Sequence, residues 1–233
     1  MIPLSDAPGR RRSFPAVNIL LILINIAVFV HELSLGSGLN RFFTDYGVVP
    51  AAIASGHPLS PTAPSPIYIT LLTSQFIHGG FLHIAGNMIF LWVFGDNVED
   101  YMGHAGYLLF YLISGVIAGL GQVLADPSST VPGIGASGAI AGVLAGYRVL
   151  FPRASVRTLL FLGPFIVMPR LSAFLLIGFW FLLQVISAFV ELTVTAAASG
   201  GVAFFAHVGG FLFGLAVVAV WKSLRPPRPV APA

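Results

Sequence analysis

Long apolar blocks limit this chain's fold more than any other feature. Each block is about as long as the ~20 residues that an α-helix needs to cross a bilayer. Hydrophobic residues make up 57% of the 233-residue sequence and charged residues only 8%. A soluble domain carries about 25% charged residues. We therefore expect an all-α polytopic membrane protein and exclude a soluble globular fold.

Six apolar stretches can be drawn, and they predict a bundle of six transmembrane helices. They cover residues 15–35, 81–101, 107–124, 137–150, 171–190 and 202–221. The expected organisation is one membrane domain over residues 15–222 with cytoplasmic tails over 1–14 and 223–233. The fourth and shortest stretch opens with the small residues of "GIGASGAI" and one hydroxyl, Ser137.

Positive charge predicts the orientation of the bundle. Basic residues cluster at helix ends on one side of the predicted membrane: Arg10, Arg11, Arg12, Arg148, Arg153, Arg157, Lys222, Arg225 and Arg228. Cytoplasmic loops carry the excess of Lys and Arg, so both termini are expected in the cytoplasm. The calculated pI is 9.6, but this distribution fits membrane topology and excludes nucleic acid as a partner. The compact length suggests the cytoplasmic membrane of a bacterium.

Two segments do not fit a plain bundle. Residues 36–75 form a long connection with five prolines, and its apolar ends predict partial embedding in the membrane. Residues 158–169 are apolar but too short to span, with Pro164 inside, so we expect them at the cytoplasmic interface.

Four polar residues inside the predicted spans are candidates for function because such groups are costly in lipid. At about 1.5 Å per helical residue, His207 lies roughly 22 Å from Lys222. Ser137 lies roughly 24 Å from Arg153 by the same measure. Asn87 lies roughly 20 Å from Asp100, with His83 one turn higher. The four side chains therefore share one layer just below the outer surface.

Glycine spacing predicts which helices touch. Small residues recur every four positions, in one stripe after Ser137 and in another after Ala206: Gly138, Gly142 and Gly146; Gly210 and Gly214. Such stripes let helix backbones approach closely in lipid. Packing them together brings Ser137 and His207 within reach, and a neighbouring histidine can activate a serine hydroxyl as a nucleophile.

The remaining polar groups suit an oxyanion site. His83 and Asn87 are four residues apart, so they share a helix face and both can donate hydrogen bonds. The Ser137 backbone N–H begins a helix, where negative charge is favoured. Gly135 allows a tight turn before the serine. No carboxylate lies at this depth, so the prediction is a Ser–His dyad without a third member.

Each of these residues also has a purely structural interpretation. A serine in a membrane helix often bonds only to the carbonyl one turn earlier, and His207 or Asn87 could serve as interhelical contacts. "GASGA" lacks the second glycine of the hydrolase nucleophile elbow. There is no H-E-x-x-H motif and no cysteine, so neither a metal nor a cofactor is expected. Glu99 and Asp100, at a helix end, are expected to be structural.

Three motifs on three helices resemble one family closely. "HGGFLHIAGNM" (78–88), "GASG" (135–138) and "AHVGGFLFG" (206–214) are similar to the signature set of rhomboid intramembrane serine proteases. The resemblance implies Ser137 as nucleophile and His207 as general base and acid. It also implies His83, Asn87 and the Ser137 N–H around the oxyanion, with His78 organising the outer loop.

The resemblance also predicts the class of substrate, and this chain differs from the family pattern at two places. Substrates would be membrane proteins whose transmembrane helix is unstable near its outer end. The chain lacks the Trp–Arg pair that many members carry in the first loop, and it has Ala141 where an aromatic often supports the catalytic histidine. A non-catalytic rhomboid-like protein that binds membrane clients is the main alternative function. A transporter is disfavoured because no inverted repeat is present.

Overall fold

The computed structural model describes residues 1–7, 13–191 and 203–224. Helices dominate these residues: α1 Ala16–Ser34, α2 Leu39–Tyr46, α3 Pro50–Ser55, α4 Thr70–Thr73, α5 Phe81–Met102, α6 His104–Ala125, α7 Ser137–Leu150, α8 Ala173–Glu191 and α9 Phe204–Ser223. Four strands accompany them: β1 Ile2–Ala7, β2 Ser155–Leu162, β3 Phe165–Val167 and β4 Arg170–Ser172.

The helical membrane fold is confirmed. Helices α1, α5, α6, α8 and α9 are each long and apolar enough to cross a bilayer. No end of a predicted stretch differs by more than three residues from the observed helix. Helix α7 has 14 residues, about 21 Å of rise, which is less than the ~30 Å hydrocarbon core. Most of the predicted C-terminal tail, residues 225–233, lies outside the described part of the chain.

Helix α7 is the centre of the bundle because its small residues let neighbours approach on several sides. Every residue from Gly138 to Tyr147 is buried, and α5, α6 and α9 all pack against it. A Cβ on Gly210 would collide with the Gly138 carbonyl, and one on Gly214 with the Gly142 carbonyl. These four residues, the glycine seam, hold α7 and α9 at backbone contact.

A buried carboxylate joins the start of α1 to the end of α5. Glu99 is fully buried, and its two oxygens accept the backbone N–H groups of Val17 at 2.9 Å and Asn18 at 2.7 Å. First-turn N–H groups have no partner within their own helix. Glu99 therefore caps α1 from another helix, in agreement with the structural role expected for it.

The long connection between α1 and α5 is ordered against the bundle. This connection consists of α2, α3, α4 and short 3₁₀ turns. Apolar side chains from residue 48 onward form a second core with one residue of α6: Val48, Val49, Ala52, Ile53, Ile67 and Leu71 with Val123. Burial of these side chains explains why a proline-rich connection adopts one conformation. Its embedding in the membrane stays a prediction.

A small antiparallel sheet, formed by β1 and the strands between α7 and α8, was not predicted. Strand β1, within the segment expected to be a tail, pairs with β2 so that Ile2 faces Leu159 and Ala7 faces Ser155. Strands β3 and β4 both pair with β2. The apolar segment 158–169 is therefore not a span. Its partner β1 lies about 150 residues away in sequence, a separation that local patterns do not report.

Candidate active site

Ser137 and His207 meet at one end of the glycine seam. Ser137 is the first residue of α7, and His207 lies in the first turn of α9. The Ser137 hydroxyl lies 2.7 Å from Nε2 of His207, and the histidine is only 8% exposed. The two side chains, 70 positions apart in sequence, thus form the contact that activates a serine hydroxyl in nucleophilic catalysis.

The second nitrogen of His207 has a partner that the sequence analysis missed. Nδ1 lies 2.8 Å from Oε1 of Gln184 on α8. The expected third member of such a site is a carboxylate, and α8 offers an amide instead. The available signal was a strongly polar side chain in the middle of an apolar span, the criterion that selected the other candidates.

Aromatic rings from two helices lie beside His207. The ring of Trp180 on α8 lies 5.9 Å from that of His207, and the ring of Phe204, at the start of α9, lies edge-on at 6.2 Å. Ala141, where the resemblance expects an aromatic, is fully buried. In this chain the aromatic neighbours of the histidine come from α8 and α9 rather than from α7.

His83 faces the turn that precedes the serine. The backbone N–H of Gly79 donates to Nδ1 of His83 at 3.2 Å, so in the neutral ring the proton resides on Nε2. A Cβ on Gly135 would lie 2.8 Å from that Nε2. Gly135 has φ +126°, a conformation that favours glycine. The N–H of His83 is therefore presented beside the backbone two residues before Ser137.

Asn87 lies one turn below His83 and is buried. Its amide nitrogen donates to the backbone carbonyl of His83 at 3.1 Å. An amide nitrogen has two N–H groups, so this bond leaves one for another acceptor. The structure brings Asn87 to the same helix face as His83, as the spacing predicted.

His78 occupies the loop before α5, against the end of α1. Its backbone N–H donates to the Glu32 carboxylate at 3.1 Å, and its ring lies 5.1 Å from that of His83. Burial, with a smaller contribution from the nearby His83, lowers the pKa of His78 to about 4, so its ring is neutral at pH 7. Glu32, which the sequence analysis did not single out, thus anchors the loop that carries Gly79.

A narrow pocket opens beside Ser137. Small residues line much of it, and a few polar side chains face it: Gly115, Ala118, Gly119, Gly133 and Gly138; Ser74, Gln75 and Gln122. The described residues contain no cluster of three or more histidine and carboxylate side chains that could hold a metal ion. The chemistry available at this site is that of the serine, the histidines and the amides.

A profile of the Rhomboid domain matches residues 66–223, which include all three motifs and the whole site. The match covers more than half of the chain. The chain belongs to the rhomboid family. Rhomboid proteins are intramembrane serine proteases, a family that also has inactive members.

Individual rhomboid relatives are similar over parts of the chain. The mitochondrial rhomboid protein 1 of Saccharomyces cerevisiae is 35% identical over 100 residues, 41% of this chain and 28% of that protein. The human mitochondrial presenilin-associated rhomboid-like protein is 29% identical over 221 residues, 88% of this chain and 50% of its own length. A Bacillus subtilis protein named as a candidate rhomboid protease is 37% identical over 83 residues, 35% of this chain and 41% of its own.

The matches span between about a quarter and a half of these relatives. Two of the three are mitochondrial by name and one is bacterial. The comparisons therefore agree with an integral membrane protein, and they do not favour the bacterial cytoplasmic membrane that the length suggested.

Proposed function

We propose that this rhomboid is a serine endopeptidase that cleaves transmembrane segments of other membrane proteins near the outer face. The observation that carries the proposal is the 2.7 Å contact between the Ser137 hydroxyl and Nε2 of His207. A serine joined across two helices to a buried histidine has no evident packing purpose, because the glycine seam already holds those helices together.

In the acylation step, His207 accepts the hydroxyl proton as Oγ of Ser137 attacks the scissile carbonyl carbon. The resulting oxyanion needs donors that are in place beforehand. The Ser137 N–H at the α7 N-terminus, Nε2–H of His83 and the second N–H of Asn87 supply them. Collapse of the intermediate breaks the peptide C–N bond, and protonated His207 gives its proton to the leaving amine.

In the deacylation step, a water molecule attacks the ester formed on Ser137. His207 takes a proton from that water, and the second oxyanion occupies the same donors. Collapse then expels the Ser137 oxygen, which recovers its proton from His207. The polar side chains of the adjoining pocket, Ser74, Gln75 and Gln122, provide hydrogen-bonding groups along which water can reach this point.

The depth of the site favours cleavage near one membrane surface. Helix α7 is too short to cross the bilayer, so if its arginine-bearing end lies at the cytoplasmic surface, Ser137 lies inside the outer half. The clusters of Arg and Lys place both termini in the cytoplasm by the positive-inside rule. A substrate must unwind locally at this depth, because a helical peptide bond is shielded by its own hydrogen bonds.

The test is covalent labelling with a fluorophosphonate combined with cleavage of a transmembrane substrate in vesicles. We expect the wild type to be labelled and active, and Ser137→Ala to lose both properties, with cleavage down at least about 10³-fold. Ser114→Ala is the matched control, because Ser114 is a buried membrane serine whose hydroxyl bonds only to the Phe110 carbonyl of its own helix. Equal cleavage by wild type and Ser137→Ala would refute the serine mechanism.

The same experiment distinguishes a protease from the alternative, a rhomboid protein that binds membrane clients without cleaving them. Such a protein retains substrate in detergent pull-downs and produces no fragment, whether Ser137 is present or not. The intact Ser137–His207 contact argues against this alternative.

A further inference from the structure

We propose that Gln184 is a positioning residue that orients His207 through its amide. The site is then a hydrogen-bonded Ser–His–Gln triad rather than a dyad. The inference rests on the proposed function, in which His207 removes the Ser137 proton. Gln184 touches neither the substrate nor the serine. Its role is to determine which nitrogen of His207 carries the proton.

The hydrogen bonds of the Gln184 side chain fix the orientation of its amide. The amide nitrogen lies 3.3 Å from the backbone carbonyl of Trp180, one turn earlier on α8. A carbonyl oxygen can only accept, so the NH₂ group must face Trp180. The amide oxygen is thereby directed at Nδ1 of His207, 2.8 Å away.

This orientation determines the tautomer of His207. An amide oxygen can only accept, so Nδ1 must carry the proton and the lone pair of neutral imidazole is on Nε2. Nε2 is the nitrogen that lies 2.7 Å from the Ser137 hydroxyl. The histidine is therefore held in the one neutral form that can act as a base toward the serine.

The Trp180 carbonyl prevents the problem that an amide usually causes in this position, which is selection of the wrong histidine tautomer. In a soluble serine protease, changing the orienting carboxylate to an amide costs about 10⁴-fold in kcat because the wrong tautomer is favoured. The wrong tautomer is favoured only when the NH₂ group of the amide faces Nδ1 of the histidine. Here the flipped amide would set its oxygen against the Trp180 carbonyl, two acceptors in contact, so the productive orientation is retained.

An amide also suits the location better than a carboxylate would. An ionised side chain within a span is costly, and α8 carries no charged residue between Phe174 and Val190. A neutral acceptor orients the imidazole without a permanent charge in the bilayer. The consequence is weaker stabilisation of the imidazolium that forms as Ser137 attacks.

Two substitutions at position 184 test the proposal, with Leu182→Ala as the matched control on the exposed face of α8. Gln184→Leu removes the acceptor at similar volume, and we expect kcat to fall about 10²-fold with KM unchanged. In protein labelled with ¹⁵N-histidine, the ring shifts of His207 should show proton moving from Nδ1 to Nε2. Leu182→Ala should match the wild type in both measurements.

Gln184→Glu keeps an acceptor and adds negative charge beside Nδ1. A carboxylate favours the protonated imidazolium, so the acid limb of the kcat–pH profile should move to higher pH while kcat stays within about tenfold of wild type. Among the described residues, His83 is the titratable group that interacts electrostatically with His207, and it is unchanged in both variants.

Wild-type kcat in Gln184→Leu would overturn the proposal. Equal losses in the Leu and Glu variants with an unshifted pH profile and unchanged ¹⁵N shifts would also overturn it, since they indicate packing alone. If Gln184→Leu fails to fold, the pH profile of Gln184→Glu decides, and an unshifted acid limb refutes the proposal. Full activity of Ser137→Ala would instead refute the proposed function, whatever Gln184 does.

Discussion

Two helix contacts meet at His207, and they are built differently. Between α7 and α9 the glycine seam brings backbone against backbone, and a single added methyl group would collide with a carbonyl oxygen. Between α8 and α9 the contact is made by aromatic side chains, with Phe181 stacked on Phe211 at 3.9 Å. The outer face of α8 carries large exposed apolar residues, among them Leu175, Phe179 and Phe189.

The difference separates two geometric requirements of the site. The distance from Ser137 to His207 is set by backbones that cannot move closer, whereas the distance from His207 to Gln184 depends on side chains that can repack. Small movements of α8 therefore change the orientation of the His207 ring before they change its distance from Ser137. Of the two contacts, the one at α8 is the adjustable one.

The largest effect is expected from a methyl group in the glycine seam. Gly210→Ala forces α7 and α9 apart, which costs about 1–3 kcal/mol of stability through overpacking. It also displaces His207 from Ser137, and a shift of about 1 Å lowers kcat about 10²-fold. Thermal unfolding and substrate cleavage, measured in the same vesicles, check both effects.

Gly178→Ala on α8 is the control for that substitution. A Cβ there would meet only the Arg148 guanidinium, at an ordinary 3.6 Å, so both Tm and kcat should stay near wild type. A Gly210→Ala protein with wild-type Tm and kcat would show that the seam does not set the distance between the serine and the histidine.

A smaller effect is expected at the aromatic contact. Phe181→Ala removes the ring stacked on Phe211 and should lower stability by about 2 kcal/mol, below the ~3–5 kcal/mol of a fully buried phenylalanine. Because the seam is intact, kcat should fall only a few-fold. Denaturant titration with kinetics on the same preparation tests this, and a loss of kcat as large as that of Gly210→Ala would contradict the distinction between the two contacts.

The smallest effect is expected at the end of α7 opposite Ser137, where β1 contacts both α7 and the sheet that precedes α8. The Tyr147 hydroxyl on α7 donates to Asp6 of β1 at 2.6 Å, and β1 pairs with β2, whose partner β4 precedes α8. Tyr147→Phe should cost about 1 kcal/mol and speed hydrogen exchange in residues 2–7. We expect kcat to remain within twofold of wild type, and a large loss would show that β1 controls the site.

Much of the bundle could be predicted because its causes are local. Apolar length gives the spans, and four-residue spacing of glycine gives the α7–α9 contact, which in turn brings Ser137 to His207. These signals lie within single segments of sequence. The predicted helical membrane bundle is therefore confirmed, with five of the six predicted stretches long enough to span, while the catalytic roles of individual residues stay predictions.

The features that were missed depend on contacts between residues that are distant in sequence or on backbone partners. Strand β1 becomes visible only when its partner β2 is known, since neither has a regular alternation of polar and apolar residues. The role of Gln184 was missed because it depends on a bond to the Trp180 carbonyl and on the rotation of α8 that turns this side chain toward His207. Glu32 was missed because its partner is a backbone N–H of His78, which no pattern of side chains reports.

The glycine seam also limits how this chain can evolve. Every amino acid replacement that a single-base change in a glycine codon can produce adds a side chain, and at Gly210 or Gly214 even the smallest one collides with α7. These positions are therefore closed to neutral substitution, whereas no such collision limits the exposed apolar side chains of α8. Sequence change is therefore most accessible on α8, where it leaves the contact between α7 and α9 intact.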